Sequence, residues 1–395
     1  MKKSFALLLF SSLAVLHACK KTSPPKNIDP YAAITSKFGT RIDPTNVLNY
    51  ANQAVPNYIR KNNSTGITIT DAKATLGRVL FYDKVLSIDN SVSCGSCHQQ
   101  QFAFSDTALI SNGVAGGVTA RHSMRLINTR FADEAKFFWD ERAATLEAQT
   151  TMPIQDHAEM GFSGQNGRPN FSHLITKLSA LDYYQELFQW VYGSTTITEQ
   201  RIQESLAGFI RSIQSFDSKF DAGRSLAPND GAPFSNFSAQ ENLGKQLFLQ
   251  APQFDPGGSR IGGGAGCQGC HRAPEFDIDP NSRNNGVIGR PNGLAGALEL
   301  GITRSPTLRD VVNASGGSNG PFMHTGNLAA LQNAIGHYNV INLAPGNNNL
   351  DPRLRPGGVG QRLNLTGTEM SALQAFMRTL SGSNVYTDAR WSNPF

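Results

Sequence analysis

Two short segments of the chain carry the same arrangement of two cysteines and a histidine. The first consists of Cys94, Cys97 and His98, and the second consists of Cys267, Cys270 and His271. In Cys-x-x-Cys-His, two thiols lie one helical turn apart, so both can add to the vinyl groups of one haem. The adjacent histidine then becomes an axial ligand of the iron. The sequence therefore predicts two covalently bound haems c, with His98 and His271 as iron ligands.

Two other uses of paired cysteines fit the sequence less well. A zinc module usually keeps its ligand pairs close together, whereas these two pairs lie in different halves of the chain. A thioredoxin-type redox motif does not need the histidine that follows each pair. In an exported protein, four free thiols would also tend to form disulfides.

The first 18 residues have the pattern of a lipoprotein-type signal peptide. Two lysines precede an apolar run over residues 5–16, and Ala18 stands directly before Cys19. A basic start, a short apolar core and a small residue at the cleavage site mark a secretory signal. We expect a lipid on Cys19 that anchors the protein to a membrane in the periplasm; the alternative is an ordinary secreted protein. Residues 19–65 are polar and rich in Pro and Asn, which is typical of a tether and an irregular lead-in.

Composition indicates a compact, loop-rich protein. The 395 residues are 39% hydrophobic and 16% charged, and they include 38 Gly and 20 Pro. This length allows two domains, each with a core of its own. The formal net charge of +5 is too weak to argue for a nucleic-acid partner.

The two halves of the chain repeat one another. The matching segments are 76–81 with 243–248 before the cysteines, and 121–126 with 303–308 and 137–139 with 322–324 after them. Strand signals are few, whereas helical periodicity is frequent. We therefore expect a mainly α fold of two tandem cytochrome c-like haem domains, 66–225 and 226–395, with long ordered loops.

An apolar stripe at helical spacing marks the end of the first domain. It extends from Ile202 to Phe220, and we interpret it as core packing that closes the domain near residue 221. The Pro-, Gly- and Asn-rich run 222–237 is then the linker. Ser238 and Glu241 form a capping box that opens the next helix.

One position distinguishes the two halves. Tyr338 follows His324 at the same distance at which Pro153 follows Trp139. Tyrosine is a haem ligand, whereas proline has no atom to offer iron. If the repeat is also geometric, Tyr338 closes the second iron and the first iron keeps an open position, where peroxide can bind. His337, next to Tyr338, is the rival ligand.

These segments resemble the bacterial diheme cytochrome c peroxidase and MauG family over roughly residues 66–380. The resemblance rests on both cysteine motifs and on segments 138–143, 149–153, 159–161, 304–308 and 321–324. It implies that the first haem reacts with peroxide. Glu159 would move a proton between the two peroxide oxygens, Gln149 would hydrogen-bond the bound oxygen, and Trp139 would relay electrons between the haems.

The chain departs from the peroxidase pattern in three places. Residues 114–116 contain no histidine, whereas many of these peroxidases carry there a histidine that leaves the iron on activation. His122 stands where the family often has an asparagine ligand for calcium; the other contacts of such an ion would be the carbonyls of Asn319 and Pro321. Tyr338 holds the position used by the MauG-like branch, where the peroxidases often have methionine.

The leading hypothesis is reduction of hydrogen peroxide to water with electrons from a small redox protein, a cytochrome c or a cupredoxin. The alternatives are MauG-like oxidation of a protein or organic substrate and a non-enzymatic diheme electron carrier. Pro153 and Glu159 argue against the carrier. We also expect His324 beside the second haem and Arg304 against a propionate there.

Overall fold

The computed structural model describes Met1 and residues 29–291, 298–313 and 315–395. The predicted signal peptide beyond Met1 and the lipidation site at Cys19 lie outside the described residues. The fold is mainly helical, as predicted. Its α-helices are α1 (Ala32–Phe38), α2 (Asp71–Tyr82), α3 (Cys94–Cys97), α4 (Leu146–Gln155), α5 (Phe171–Ser179), α6 (Asp182–Tyr192), α7 (Glu199–Ser212), α8 (Lys219–Leu226), α9 (Ala239–Leu249), α10 (Leu331–Asn339) and α11 (Gly367–Arg378).

The described strands form two small antiparallel hairpins in the second half of the chain. β1 (Pro252–Phe254) pairs with β2 (Arg260–Gly263), and β3 (His271–Arg272) pairs with β4 (Asp277–Ile278). Over the described ranges, every helix is too short or too polar to cross a membrane.

Two crossing helix pairs with the same geometry stand at the centre of the two halves. α2 packs against α7, and α9 packs against α11. A Cβ added to Gly77 would lie 1.9 Å from the Ser205 carbonyl oxygen, and one added to Gly244 would lie 1.9 Å from the Ala372 carbonyl oxygen. Only glycine lets two backbones approach this closely. Because the same contact recurs, the repeat in the sequence is also a repeat in geometry.

The loops that precede α4 and α10 match as well. Isolated antiparallel bridges close these loops, Phe137 with Ala143 and Phe322 with Leu328. Phe138 and Met323 share a left-handed backbone, with φ of 69° and 67°, which is uncommon for bulky side chains. Trp139 and His324 follow them directly, so these two residues occupy equivalent places.

The apolar stripe from Ile202 to Phe220 does not form one helix. α7 ends at Ser212, and Phe220 packs in a second hydrophobic cluster that extends to Leu380. Phe234 is buried in that same cluster. Residues 222–237 therefore contribute to the core of the second half, because their aromatic side chains supply apolar surface that the spacing alone did not reveal.

The first hydrophobic cluster takes residues from outside the predicted limits of its domain. Ile34 and Phe38 of α1 pack in it, although they lie in the predicted lead-in. Trp391, 1% exposed, also packs there, although it belongs to the predicted second domain. The Tyr82 hydroxyl donates to the Trp391 carbonyl oxygen at 2.6 Å. The end of the described chain thus returns to the first half.

We expect Gly244→Ala to lower the free energy of unfolding by about 1–3 kcal/mol, the usual cost of overpacking. The added methyl group would collide with the Ala372 carbonyl oxygen, so α9 and α11 would have to separate. Denaturant unfolding measures the change. Gly336→Ala in α10 is the control, because its Cβ meets nothing within 4 Å and alanine is the better helix former. Equal stabilisation by both substitutions would contradict the close crossing.

Candidate haem sites

The first cysteine motif lines a cavity of about 170 Å³. α3 begins with a capping box between Ser93 and Ser96 and presents both of its cysteines to this cavity. His98 follows directly and lines the same cavity. Its Nδ1 donates to the Phe104 carbonyl oxygen at 3.2 Å, which orients the ring. Burial lowers the pKa of His98, so the ring is held neutral, as a metal ligand requires.

The buried thiols suit a neutral thioether better than a metal thiolate. Burial raises the pKa of Cys94 and Cys267 to about 12 and that of Cys97 and Cys270 to about 11. A zinc site binds cysteine as the thiolate, which this burial disfavours. Within the described ranges, no group of three or more His, Cys, Asp or Glu could hold a metal ion. The residues present therefore fit covalent haem.

Three residues of the predicted peroxide site line the same cavity, namely Gln149, Pro153 and Glu159. The Thr145 hydroxyl accepts the Ala148 N–H and starts α4, which carries the first two. Neither Gln149 nor Glu159 makes a side-chain hydrogen bond to another described residue. Both polar ends are therefore available to a small polar molecule in the cavity.

Glu159 has the altered acidity expected of a proton carrier. Burial raises its pKa to about 7, and the negative charge of Asp156 is the next largest cause. Its backbone is held at both ends, because its N–H donates to Asp156 and its carbonyl oxygen accepts from Val114. A carboxyl group with a pKa near neutrality can take up and release a proton at the same pH.

Residues 114–116, where a switch histidine would lie, do not line the cavity. Val114 is buried, and its N–H donates to the Glu159 carbonyl oxygen at 3.1 Å. Added Cβ atoms at Gly113 and Gly117 would lie 1.9 and 2.4 Å from the Ala158 carbonyl oxygen. This loop therefore packs closely against the backbone behind Glu159 and offers no side chain to the cavity.

The second motif lines a larger cavity of about 630 Å³. Cys267 and Cys270 lie in and just after a 3₁₀ turn that leads into β3, which begins with His271. Burial lowers the pKa of His271 to about 4, so this ring too is neutral. Its Nδ1 is buried and has no hydrogen-bond partner among the described residues.

The structure separates the two rival ligands on α10. Tyr338 lines the second cavity, and its hydroxyl accepts from Nδ2 of Asn285 at 3.1 Å. His337 does not line that cavity, and its Nε2 donates to the Asn285 carbonyl oxygen at 2.9 Å. Neighbouring residues on a helix diverge by about 100°. Tyr338 and not His337 therefore faces the second site, as Pro153 faces the first.

Trp139 lies between the two cavities and lines both. Its Nε1–H donates to the His122 carbonyl oxygen at 2.8 Å. Its ring centroid lies 6.2 Å from that of His324, at an interplanar angle of 60°. The Trp139 side chain is therefore part of the wall that the two cavities share.

Arg304 was expected at the second haem alone, but it also lines both cavities. Its guanidinium donates to the Lys136 carbonyl oxygen and lies 4.6 Å from the Phe137 ring centroid. These contacts hold it at the junction of the two halves, which accounts for its place in both walls.

Arg125 is a candidate that sequence reasoning missed. It lines both cavities, and its buried Nε has no partner among the described residues. Burial lowers its pKa to about 10. A buried guanidinium nitrogen without a partner fits a carboxylate such as a haem propionate. The only sequence signal was its position in the repeated segment 121–126.

His324 lines the second cavity, as expected, and belongs to a charge network that the sequence did not indicate. Its Nε2 lies 2.9 Å from the Gly289 carbonyl oxygen and 3.3 Å from Glu299. Arg121 then links Glu299 to Asp140, at 3.1 and 2.8 Å. The network joins the loop before α4 to the second half of the chain.

The residues of the predicted calcium contacts make hydrogen bonds to neighbouring carbonyl oxygens. Burial lowers the pKa of His122 to about 4, and its Nδ1 donates to the Ala108 carbonyl oxygen. Asn319 is fully buried, and its Nδ2 donates to the Asp310 carbonyl oxygen at 2.8 Å. Calcium prefers oxygen ligands, which an imidazole does not supply. Calcium at the Asn319 and Pro321 carbonyls stays a prediction.

Comparison with known proteins identifies relatives over most of the chain. Residues 71–225 match the di-haem cytochrome c peroxidase family. The methylamine utilization protein MauG of Methylophilus methylotrophus is 27% identical over 320 residues, 80% of this chain and 84% of the relative. The cytochrome c551 peroxidase of Nitrosomonas europaea is 25% identical over 320 residues, 78% of this chain and 80% of the relative.

Two solved structures share the fold. A MauG-like protein associated with microbial copper homeostasis aligns with a TM-score of 0.65 at 24% identity, covering 87% of this chain and 99% of that one. A variant of a diheme peroxidase from Burkholderia thailandensis aligns with a TM-score of 0.60 at 21% identity, covering 88% and 96%.

Proposed function

We propose that the chain is a member of the diheme cytochrome c peroxidase and MauG family, which the match over residues 71–225 and the relatives over most of the chain support. We further propose that it reduces hydrogen peroxide to water with electrons from a small redox protein. Membership makes the protein an oxidoreductase of the peroxidase type. The observation that carries the proposal is the difference between the cavities. Tyr338 lines the second cavity, whereas Pro153 holds the equivalent place in the first and leaves room there for peroxide.

Each half of the chain would form one cytochrome c-like domain with one covalently bound haem. The attachment residues are Cys94 and Cys97 with His98 in the first half, and Cys267 and Cys270 with His271 in the second. When bound, the haems supply the iron that accepts electrons from the donor and reacts with peroxide.

The residues of the first cavity would handle the protons of the reaction. Glu159 takes a proton from one peroxide oxygen and returns it to the other, which leaves as water. Gln149 holds the substrate by donating a hydrogen bond. Trp139, which borders both cavities, provides the route between the two sites.

The residue pattern of the predicted signal peptide supports a proposal for where this reaction takes place. We infer export to the periplasm and a lipid anchor on Cys19, supported by the basic, apolar and small-residue pattern of residues 1–18. Covalent attachment of haem c outside the bacterial cytoplasm is consistent with export.

A second function, MauG-like oxidation of a protein or organic substrate, has one observation in its favour. An oxygen ligand at Tyr338 would favour the higher oxidation states of iron over reduction by a donor. The deciding experiment supplies the haem-loaded protein with peroxide and a reduced small cytochrome c. A peroxidase oxidises two cytochromes for each peroxide consumed. Peroxide consumption without oxidation of any cytochrome c or cupredoxin donor would favour the MauG-like reaction.

The fully oxidised protein should react with peroxide without prior reduction. The reason is that residues 114–116 pack behind Glu159 and offer the first cavity no side chain that must leave before peroxide binds. Stopped-flow visible spectra after peroxide addition measure the reaction. Reaction of the half-reduced protein alone would reveal a displaceable ligand, and His122→Ala would test the histidine that lines the cavity besides His98.

The rate of peroxide reduction should fall as the pH decreases through about 7. Burial raises the pKa of Glu159 to that value, and only the carboxylate, present above it, can accept the first proton of peroxide. The pH profile of kcat/KM measures this limb. The limb should vanish in Glu159→Gln, and its persistence there would assign the titration to another group.

A further inference from the structure

Two adjacent tyrosines of α6 share one carboxylate that the reactions above do not use. The hydroxyls of Tyr183 and Tyr184 both donate to Oδ2 of Asp83, at 2.8 and 2.9 Å. Their ring centroids lie 4.6 Å apart, with the planes inclined by 36°. All three residues are buried, and Tyr183, 8% exposed, lies nearer the surface than Tyr184, 0% exposed. We call this unit the tyrosine pair.

The tyrosine pair lies close to the first haem-attachment segment. Asp83 directly follows Tyr82, the last residue of α2. The ring of Tyr82 packs on Gly95. A Cβ added to Gly95 would lie 2.5 Å from Cδ1 of Tyr82. Gly95 stands between the two cysteines of the first motif, and Phe81, on the other side of Tyr82, lines the first cavity. The carboxylate that binds the tyrosine pair thus directly follows two residues of α2, one of which lines the first cavity while the other packs on its cysteine motif.

The hydrogen bonds to Asp83 give the pair the chemistry of a one-electron donor. A buried phenol loses an electron readily only if its proton leaves with it, because a buried cation is costly. Burial, and then the negative charge of Asp83, raises the pKa of both hydroxyls, so the protons are present before oxidation. Asp83 forms no ion pair with a described residue, and its other oxygen accepts from the Val85 N–H at 2.9 Å. Its Oδ2 is therefore free to take the phenolic proton.

A second buried tyrosine–carboxylate contact differs from the tyrosine pair, because its carboxylate is paired with an arginine. Tyr58 donates to Oδ1 of Asp221 at 2.9 Å, but Asp221 also pairs with Arg309 through two contacts of 2.9 and 3.0 Å. The buried guanidinium holds the carboxylate in its charged form and lowers its pKa. Asp221 is therefore already paired with a cation, whereas Asp83 forms no ion pair with a described residue, although both carboxylates bind a tyrosine hydroxyl.

We propose that the tyrosine pair is a redox site that draws one oxidising equivalent away from the first haem site when no donor protein is bound, an inference that rests on the proposed peroxidase function. Tyr184 gives one electron to that site, and its O–H bond breaks as the proton moves to Oδ2 of Asp83. The products are a neutral tyrosyl radical and a protonated carboxyl group. Hydrogen peroxide is the oxidant and carries two equivalents; the second stays at the haem sites until a donor supplies an electron.

The shared oxygen limits the capacity of the site. Because both hydroxyls donate to the same Oδ2, the pair can release only one proton to Asp83. It therefore holds one oxidising equivalent at a time. The contact between the rings lets that equivalent pass to Tyr183, which lies nearer the surface. An electron moves from Tyr183 to Tyr184, Asp83 returns its proton to the Tyr184 oxygen, and the same Oδ2 takes the proton of Tyr183. The oxidant is thereby moved outward from the haem instead of attacking it.

The test uses the full-length, haem-loaded protein containing ring-deuterated tyrosine, mixed with hydrogen peroxide without donor and frozen for electron paramagnetic resonance. We expect a radical signal that narrows with the label and is absent from the Tyr183→Phe/Tyr184→Phe double variant. Trapping with a nitroso compound and peptide mass spectrometry should place the adduct on residues 183 and 184. The double variant should also lose haem absorbance faster under repeated peroxide addition.

Two single variants sharpen the test. Asp83→Asn should weaken the signal, because an amide cannot take the phenolic proton. Tyr58→Phe, the matched tyrosine whose carboxylate is engaged by Arg309, should leave the signal unchanged. The isotope label reports on the unsubstituted protein, so the result does not depend on the folding of any variant.

Peroxide consumption with a reduced donor is measured on the same preparation. Consumption without a tyrosyl signal, or a signal that survives in the double variant, overturns the redox role of the tyrosine pair and leaves the peroxidase function standing. If no peroxide is consumed, the proposed peroxidase function is overturned, and the redox role of the tyrosine pair, which rests on it, is overturned as well.

Discussion

Glu159→Gln should reduce the rate of peroxide turnover by about 10²–10⁴-fold, the usual contribution of general acid–base catalysis. The amide keeps the size of the side chain but can neither take nor return a proton. Both haems should stay attached, because Glu159 belongs to neither cysteine motif and makes no side-chain hydrogen bond to a described residue. Steady-state kinetics and the haem content of the purified variant measure the two effects separately.

Glu204→Gln is the matched control for this substitution. Glu204 lies on α7, pairs with Lys73 at 2.7 Å and does not line either cavity. Its replacement should leave turnover near the wild-type rate. A Glu159→Gln variant with an equally normal rate would show that proton transfer does not pass through this carboxylate.

Tyr338→Phe should change the ligand set of the second haem, whereas His337→Gln should not. Of these two residues, only Tyr338 lines the second cavity. His337 lies on another face of α10, where its Nε2 donates to the Asn285 carbonyl oxygen. Loss of an oxygen ligand should also raise the reduction potential of that haem, because an anionic oxygen favours ferric iron. Electron paramagnetic resonance reports the ligand set, and a redox titration reports the potential.

The two substitutions control for each other, since they affect neighbouring residues of one helix. An unchanged spectrum in Tyr338→Phe together with a lost low-spin signal in His337→Gln would reverse the assignment. If neither spectrum changes, the sixth ligand comes from another element, and Met323 and Met377, which also line the second cavity, become the next candidates.

The repeat made the site partly predictable from the sequence. Because Gly77 and Gly244 permit the same helix crossing, residues at matching positions of the two halves fall at matching places in the cavities. The positions of Pro153 and Tyr338 can therefore be compared from the sequence alone. The choice between Tyr338 and His337 needed the structure, because it depends on which face of α10 meets the second cavity.

Features formed by distant contacts could not be predicted. Arg125 and Glu299 contribute through burial and through partners far away in the sequence, and neither belongs to a recognisable motif. Trp391 follows a stretch assigned to the second half, yet it packs in the first cluster. Periodicity shows that a residue is buried, but it does not show which of two cores receives it.

Because the C-terminal residues pack in the first half, the core of that half can be completed only after the second half has been synthesised. The Tyr50 hydroxyl donates to the Arg390 carbonyl oxygen at 2.8 Å, and Trp391 fills the first cluster beside α2. During synthesis the first half emerges before these residues, so its apolar surface stays partly uncovered until the second half has followed. The N-terminal haem pocket therefore cannot close fully ahead of the C-terminal one, and a chain cut short before Trp391 would expose the interior of its first half.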